Sequence, residues 1–335
     1  MKILITGVAG FLGCWLSQAI VEKGDDVYGV DNLLGGYKGN VPKEVKFYQA
    51  DASDLNQMKK ITKNIGVVYH LAAAPHPGLS VFSPWIVAKH NYMTTVATVT
   101  AAIQNRVQKV VFTSSMDRYG ENKTPFTEDM EPKPKDPYGI CKLASEAFIE
   151  NMSEAHSLSY SIAVPHNIIG AKQKYDDPYR SVASIFINRM LQGKQPIIYG
   201  DGKQKRTFSD VRDCVEPLIK MMELPEAEGQ IINIGPGPEN NFITIIELAK
   251  LIAKKLDFDL NPIFVPDRPQ EVRYATCSDS KARKILGYRP RHSLSDTIDE
   301  MIEYIKTRGT RPFSYHLGLE IINEKTPKTW RERLI

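Results

Sequence analysis

Lys2-Ile-Leu-Ile-Thr-Gly7-Val-Ala-Gly10-Phe11-Leu12-Gly13 (KILITGVAGFLG, residues 2–13) decides the fold. A short apolar run enters a GxxGxxG turn, and a helix-like stretch, Phe11–Lys23, follows at once. Glycine at Gly7, Gly10 and Gly13 permits a sharp turn and a close approach of backbone to a pyrophosphate. The following helix, opening at Phe11 and Leu12, then turns its N–H groups and dipole toward the phosphates. A glycine triplet alone is weak evidence, because glycines also mark ordinary turns. The strand–turn–helix context gives it weight.

The alternation continues along the chain. Apolar runs at Lys2–Thr6, Asp26–Val30, Val45–Gln49, Val67–Leu71, Lys109–Ser114 and Ser159–Val164 read as strands. Helix-like stretches at Phe11–Lys23, Asp54–Lys63, Trp85–Gln104 and Tyr138–Ala155 separate them. Strands apolar on both faces and separated by helices predict a parallel sheet covered on both sides, the α/β doubly wound (Rossmann) class. After Val164 the texture changes: residues 165–210 are rich in Pro, Gly, Tyr and Lys, with one helix near Val182–Leu191. Helices near Ile243–Lys255, Ser280–Leu286 and Leu294–Thr307 follow. The predicted organisation is a dinucleotide-binding domain over residues 1–165, to which 205–235 returns through a strand at Gln230–Ile234. A smaller α/β lobe, residues 166–204 and 236–310, lies over the carboxyl ends of the strands. Residues 311–335 form a polar, aromatic tail.

Composition bounds the function. The chain has 335 residues, 42% hydrophobic and 24% charged, and a formal net charge of +4. That mild charge lacks the concentrated basic stripe of a nucleic-acid surface. No apolar stretch reaches the length of a membrane span, and the run after Met1 is too short for a signal peptide. Cys14, Cys141, Cys214 and Cys277 form no CxxC pair. No metal site is expected, and a reducing, cytoplasmic compartment fits.

The remaining strand ends supply the cofactor site. Asp31 closes the second strand roughly 20 residues beyond the glycines, where a carboxylate meets the adenosine ribose hydroxyls. It repels a 2′-phosphate, so the expected cofactor is NAD rather than NADP. Asn32 is placed beside it. Asp51 and Ala52 follow the third strand, within reach of the adenine amine. Leu71, Ala72 and Ala73 end the fourth, where small residues let a cofactor lie close. Asn91 either ties these strand ends together or is a structural helix residue.

The chemistry is read from Asp136-Pro137-Tyr138-Gly-Ile-Cys-Lys142. Asp136 and Pro137 look like an N-cap and first helical residue. Tyr138 and Lys142 are four apart and share a helix face. The ammonium is expected to favour the phenolate and lower the tyrosine pKa, making Tyr138 an acid/base near neutral pH. Thr113-Ser114-Ser115 ends the fifth strand, where a nicotinamide would lie. The Ser115 hydroxyl there either hydrogen-bonds the substrate oxygen that Tyr138 serves or caps the strand end.

TGVAGFLG, HLAA, SSMDRYG, YGICK, PHNIIG, YGDG, QKRTFSDVRD and DRPQEV occur in this order from Met1 to about Arg308. Together they resemble the extended short-chain dehydrogenase/reductase superfamily, in its nucleotide-sugar epimerase/dehydratase branch; UDP-glucose 4-epimerase is the type they look most like. The resemblance implies that Ser115, Tyr138 and Lys142 are catalytic. It implies NAD, held by the strand-end residues above with Thr113, Tyr138 and Lys142, and a nucleotide-diphosphate sugar, a UDP-sugar, as substrate. Tyr138 would take the proton of the sugar 4-hydroxyl, giving a 4-keto intermediate that is reduced again from its other face. Asn167, Arg206 and Arg268 match residues that bind the diphosphate, Glu271 the acid on the nucleotide ribose, and Tyr199 an aromatic that packs on the base. The resemblance also implies a homodimer built on two long helices of the first domain.

Two departures matter. A bulky tyrosine that closes the sugar pocket of some 4-epimerases aligns with Ala275, which predicts room for a 2-acetamido group. Asp117 stands where sugar 4,6-dehydratases and UDP-glucuronate decarboxylases carry a glutamate. It is one methylene shorter, and Met116 before it has no proton to donate. Epimerisation at C4 is therefore the first expectation. A 4,6-dehydratase or decarboxylase using Asp117 is the alternative, with Asp117 otherwise a polar turn residue. A catalytically silent NAD-binding protein ranks last, since it need not keep Ser115, Tyr138 and Lys142 together.

Overall fold

The first strand is buried at four of its five residues, and side chains on both its faces feed two apolar cores. That is the signature of a central parallel strand, and the computed structural model, which describes residues 1–238 and 242–335, builds the rest of the sheet around it. The first part of the chain runs β1 (Lys2–Thr6), α1 (Phe11–Glu22), β2 (Asp26–Asp31), β3 (Lys46–Gln49), α2 (Leu55–Ile61), β4 (Val67–His70), α3 (Pro77–Ser80), α4 (Pro84–Ala88), α5 (Thr94–Gln104), β5 (Lys109–Thr113), α6 (Pro137–His156) and β6 (Ser159–Pro165). Then come β7 (Ile168–Ile169), α7 (Val182–Leu191), β8 (Ile197–Tyr199), β9 (Lys205–Thr207), β10 (Ser209–Asp210), α8 (Val211–Glu223), β11 (Ile231–Ile234), β12 (Phe242–Thr244), α9 (Ile245–Leu256), β13 (Ile263–Val265), β14 (Tyr274–Ala275), α10 (Ser280–Leu286), α11 (Leu294–Arg308) and α12 (Lys328–Arg331).

Seven strands form one sheet in the order β11-β6-β5-β4-β1-β2-β3, every pair parallel. The chain winds outward from β1 in one direction, then restarts at β4 and winds in the other. The crevice outside the carboxyl ends of β1 and β4 is the switch point where ligands of such sheets bind. Its floor is stitched together. Thr6 Oγ1 is 2.8 Å from His70 Nδ1 and accepts from the N–H groups of Leu71 and Ala72, each at 3.1 Å. Burial pushes His70 down to about 3, so its ring is neutral.

The helix predicted over Trp85–Gln104 is instead α4 and α5 joined by a wide π-turn, Lys89–Met93. Asn91 lies in that turn and donates to Val87 O (2.8 Å) and Ala74 O (3.1 Å). Strand β9 pairs with β12 and β14 in the lobe. The chain therefore re-enters the large sheet through α8 and β11, not from residue 205. The lobe core gathers α7, α9 and α11 around Phe186, Leu248 and Ile298. The tail folds back over the body: Trp330 is buried edge-on to Phe82 and Tyr179, and the Tyr179 hydroxyl donates to Leu317 O at 2.9 Å.

Candidate active site

A cleft of about 470 Å³ opens over the switch point, between the sheet and the lobe. Its first half is built by the glycine turn. A Cβ at Gly13 would stand 2.2 Å from Gly7 O, and one at Gly7 would stand 2.9 Å from Ala72 Cα. Backbone thus approaches backbone where side chains would fill the cradle. Helix α1 follows Gly10 as its N-cap with no side-chain cap bond, so its first-turn N–H groups have no side-chain acceptor. Asp31 ends β2 with its carboxylate accepting from Ala9 N (3.0 Å) and Leu33 N (2.6 Å). Burial pushes its pKa up against these bonds. Phe11, Leu12, Asn32, Asp51, Ala52, Leu71, Ala72, Ala73 and Thr113 line the same half. A turn closed by backbone, a helix N-terminus and a carboxylate at the next strand end fit a dinucleotide.

Asn91 does not join them. Its amide is spent on Ala74 and Val87, so it shapes the loop behind Ala73 instead of lining the cleft.

The reacting half gathers around α6. Asp136 caps this helix through Gly139 N at 2.9 Å, and the cap turns Tyr138 and Lys142 inward. Lys142 Nζ donates to Thr113 O at 2.8 Å and sits 5.9 Å from the centre of the Tyr138 ring. Ser115 Oγ donates to Asp117 Oδ2 at 3.1 Å and accepts from Asp117 N at 3.2 Å, and its hydroxyl pulls the phenol's titration down. The hydroxyl thus caps the turn after β5.

The electrostatics reverse one expectation. The Tyr138 phenol is pushed up, first by burial and then by the charge of Asp117, although Ser115 pulls the other way. Lys142, whose ammonium donates to Thr113 O and is itself pushed down to about 8 by burial, does not outweigh burial and Asp117. Asp136 rises to about 7 through burial and the neighbouring Asp117 charge. Asp117 is likewise raised by burial, against its Ser115 bond and Arg206. Two carboxyls therefore face one phenol.

This gives a pH prediction. Asp136→Asn keeps the cap, since Asn caps as well as Asp, and removes one negative charge facing Tyr138. The acid limb of kcat/KM, where the phenol must lose its proton, is expected to move to lower pH. The rise with pH should level off near 8, where Lys142 loses its charge while the phenolate fraction is still growing. A pH–rate profile of both proteins checks this, and an unmoved acid limb contradicts it.

The lobe supplies the third wall. Arg268 donates to Glu271 at 3.1 and 3.2 Å, and Arg206 lies 3.7 Å from the same carboxylate. Burial pushes Glu271 up, yet Arg268 and Arg206 hold it below the usual range. Arg268 also stacks over Tyr199, 4.7 Å from the ring centre. One face of the aromatic expected to meet a base is thus covered by a guanidinium. The Tyr199 hydroxyl is 2.6 Å from Thr329 Oγ1 in the tail. Asn167, with φ 39°, donates to Thr207 O at 2.9 Å and lines the cleft. Ala275 does not line it: it is fully buried in the core, paired with Arg206 across β14 and β9. The room predicted from Ala275 is therefore not in the cleft wall.

Sequence reading missed three groups here. Asp136 was read only as a cap. The His76–Asp177–Arg180 chain joins residues 101 positions apart, which no local pattern shows. Thr329 and Trp330 belong to a tail with no recognisable motif. Among the described residues no cluster of three His, Cys, Asp or Glu side chains is arranged to hold a metal.

Comparisons with known proteins agree with this geometry. The model of the NAD dependent epimerase/dehydratase family matches residues 3–235. A putative UDP-glucose 4-epimerase of Methanocaldococcus jannaschii is 32% identical, covering 92% of this chain and 99% of its own. The structure of UDP-glucose 4-epimerase from Thermotoga maritima with UDP-glucose superposes with a TM-score of 0.86 at 31% identity, over 92% of this chain and 99% of that one. UDP-glucuronic acid 4-epimerase from Bacillus cereus, in complex with UDP-glucuronic acid and NAD, gives 0.85 at 29% identity, over 92% and 100%.

Proposed function

The chain belongs to the NAD-dependent epimerase/dehydratase family, and we propose that within it the protein inverts C4 of a UDP-sugar through a 4-keto intermediate. The observation that carries this reading is the convergence of Tyr138, Ser115 and Lys142 on one cleft beside the glycine turn.

Bound NAD supplies the hydride acceptor and donor for C4, so the overall reaction has no net redox change. The first-turn N–H groups of α1 would hold its diphosphate, with Asp31 and Thr113 toward its two ends. Tyr138 Oη takes the proton of the sugar 4-hydroxyl and returns it once the ketone is reduced. Ser115 orients that oxygen with its hydroxyl. Lys142 fixes Thr113 and keeps a positive charge beneath the phenol ring. Arg206, Arg268 and Asn167 hold the substrate diphosphate, the two guanidinium groups through planar forks suited to phosphate oxygens. For that, Glu271 must share its arginines with the incoming phosphates.

Asp117 separates this reading from dehydration. A base at C5 needs a carboxylate oxygen free to take a proton, whereas Asp117 Oδ2 accepts from Ser115 at 3.1 Å. The silent-protein reading requires no convergence of the three catalytic groups. Incubation with UDP-sugars in D₂O, followed by NMR, tests the proposal. The C4 epimer without solvent deuterium is expected. Solvent deuterium at C5 with loss of the C6 hydroxyl would show a dehydratase, loss of carbon dioxide a decarboxylase, and binding without product a silent protein.

Asp31→Ala offers a second test. Removing the carboxylate is expected to weaken NAD and to reduce the discrimination against NADP by about tenfold, the effect of one lost charge repulsion. Titration with both nucleotides reads it, and unchanged discrimination would place the ribose elsewhere.

We assign the protein to the cytoplasm as a homodimer. All four cysteines are free, which supports a reducing compartment. Among the described residues no helix is long and apolar enough to cross a membrane. Trp85 on α4 and Ile140 on α6 are 74% and 54% exposed, an apolar pair on the helices where the partner is expected. Sedimentation analysis checks the assembly; a monomer would contradict it.

A further inference from the structure

The polar, aromatic tail, residues 311–335, carries no family motif, yet it is tied down along its length. A chain terminus stays poorly ordered unless such ties hold it. The first anchor is the α3–α4 segment beside the cofactor half of the cleft. Glu320 N and Ile321 N both donate to Phe82 O at 2.9 Å, and Ser83 Oγ donates to Gly318 O at 2.7 Å. The Glu320 carboxylate accepts from Trp85 N at 2.8 Å and from Ile86 N at 2.9 Å. It thereby caps α4, whose own N-cap residue, Ser83, makes no cap bond. The second anchor is α12, where Trp330 is buried edge-on to Phe82 at 6.1 Å and to Tyr179 at 5.4 Å.

From these anchors the tail reaches the wall of the lobe. Thr329 is buried and places Oγ1 2.6 Å from the Tyr199 hydroxyl, and Trp330 meets the same ring at 6.4 Å and 60°. Tyr199 ends β8, so the strand fixes its backbone and leaves the ring to be oriented by its neighbours. Arg268 lies over that ring at 4.7 Å. The stack then closes on α3: a Cβ on Gly78 would stand 3.4 Å from both Arg268 Nη1 and Trp330 Cη2. Tyr199, Arg268 and Gly78 line the cleft, whereas among the described residues those of the tail do not. The tail thus stands behind the wall and braces one side of the cleft against the other. A group that positions substrate loses much of its value when it is displaced by about 1 Å.

We propose that the tail is a strap that presets the nucleotide end of the cleft, with Thr329 the positioning residue that orients Tyr199 and, through it, the Arg268 guanidinium that meets the substrate diphosphate. The inference rests on the UDP-sugar reading of the cleft and adds to it a part of the chain outside the family motifs. The Thr329 hydroxyl bonds to the lobe, not to the glycine turn or α6. Its loss is therefore expected to weaken the nucleotide of the substrate and to spare NAD.

The test titrates UDP, UDP-glucose and NAD calorimetrically into the wild-type protein, Thr329→Val, Thr329→Ser, Tyr199→Phe and the double variant Thr329→Val/Tyr199→Phe, with the melting temperature of each. Thr329→Val is expected to weaken UDP and UDP-glucose by the same factor, about fivefold, the scale of one hydrogen bond. NAD affinity should stay as in the wild type. Thr329→Ser, which restores the hydroxyl, should bind like the wild type. The double variant should bind no more weakly than Tyr199→Phe, because both changes break one contact. Additive losses in the double variant overturn the proposal, as does a loss that serine does not restore. A lowered melting temperature with unchanged UDP affinity also overturns it and makes the contact structural only. Weakening of UDP-glucose without UDP would place the strap at the wrong end of the cleft. A wild type that binds neither nucleotide ends the UDP-sugar reading and the strap with it. Binding without C4 inversion ends the epimerase reading alone.

Discussion

Tyr138→Phe is expected to lower kcat by about 10³-fold, within the range general acid–base groups supply. The substitution removes one oxygen and keeps the ring, which is 5% exposed and packed beneath the lobe. Binding of NAD and of the nucleotide sugar should persist, because neither diphosphate site uses the phenol. No other group is placed to take its role. Ser115 donates to Asp117 Oδ2, and Lys142 donates to Thr113 O. Steady-state rates with a titration of both ligands read the result. A variant that keeps kcat within tenfold of the wild type would remove Tyr138 from the chemistry.

Gly13→Val is expected to have the largest effect on cofactor and stability together. Any Cβ there meets Gly7 O at 2.2 Å and Val8 Cα at 2.9 Å. Both are backbone atoms of the turn, so relief requires the turn to open. Overpacking of this kind costs about 3 kcal/mol or more, and an opened turn no longer presents the helix N-terminus to a diphosphate. Loss of measurable NAD binding with a lowered melting temperature is expected. Gly24→Ala is the control: Gly24 has φ +88°, and nothing lies within 4 Å of its Cβ position. Strain alone there costs about 1 kcal/mol, with NAD binding retained. Equal effects at the two glycines would mean that the turn is not the cradle.

The contrast between these residues shows what the sequence makes legible. The glycine turn, Asp31 and the strand ends are local: each follows from a strand, a turn and a helix within some thirty residues. The order of the large sheet follows from the same alternation. Tyr138 and Lys142 are legible because one helix turn carries both. What stayed hidden depends on contacts between distant segments. The titration of Tyr138 is set by burial and then by Asp117, which arrives from the turn after β5. Asn91 and Ala275 match expected positions, yet their surroundings are a loop carbonyl and the core. Thr329 reaches Tyr199 across 130 residues. Arg180 joins Asp177 and His76 in a pairing without sequence periodicity.

The most direct test of the central claim uses a UDP-sugar deuterated at C4, incubated with the protein and NAD in ordinary water and followed by NMR. One cleft that oxidises and reduces the same carbon beside Tyr138 predicts a C4 epimer that keeps its deuterium at C4. Loss of the label to solvent, or its appearance at C6, would contradict the account.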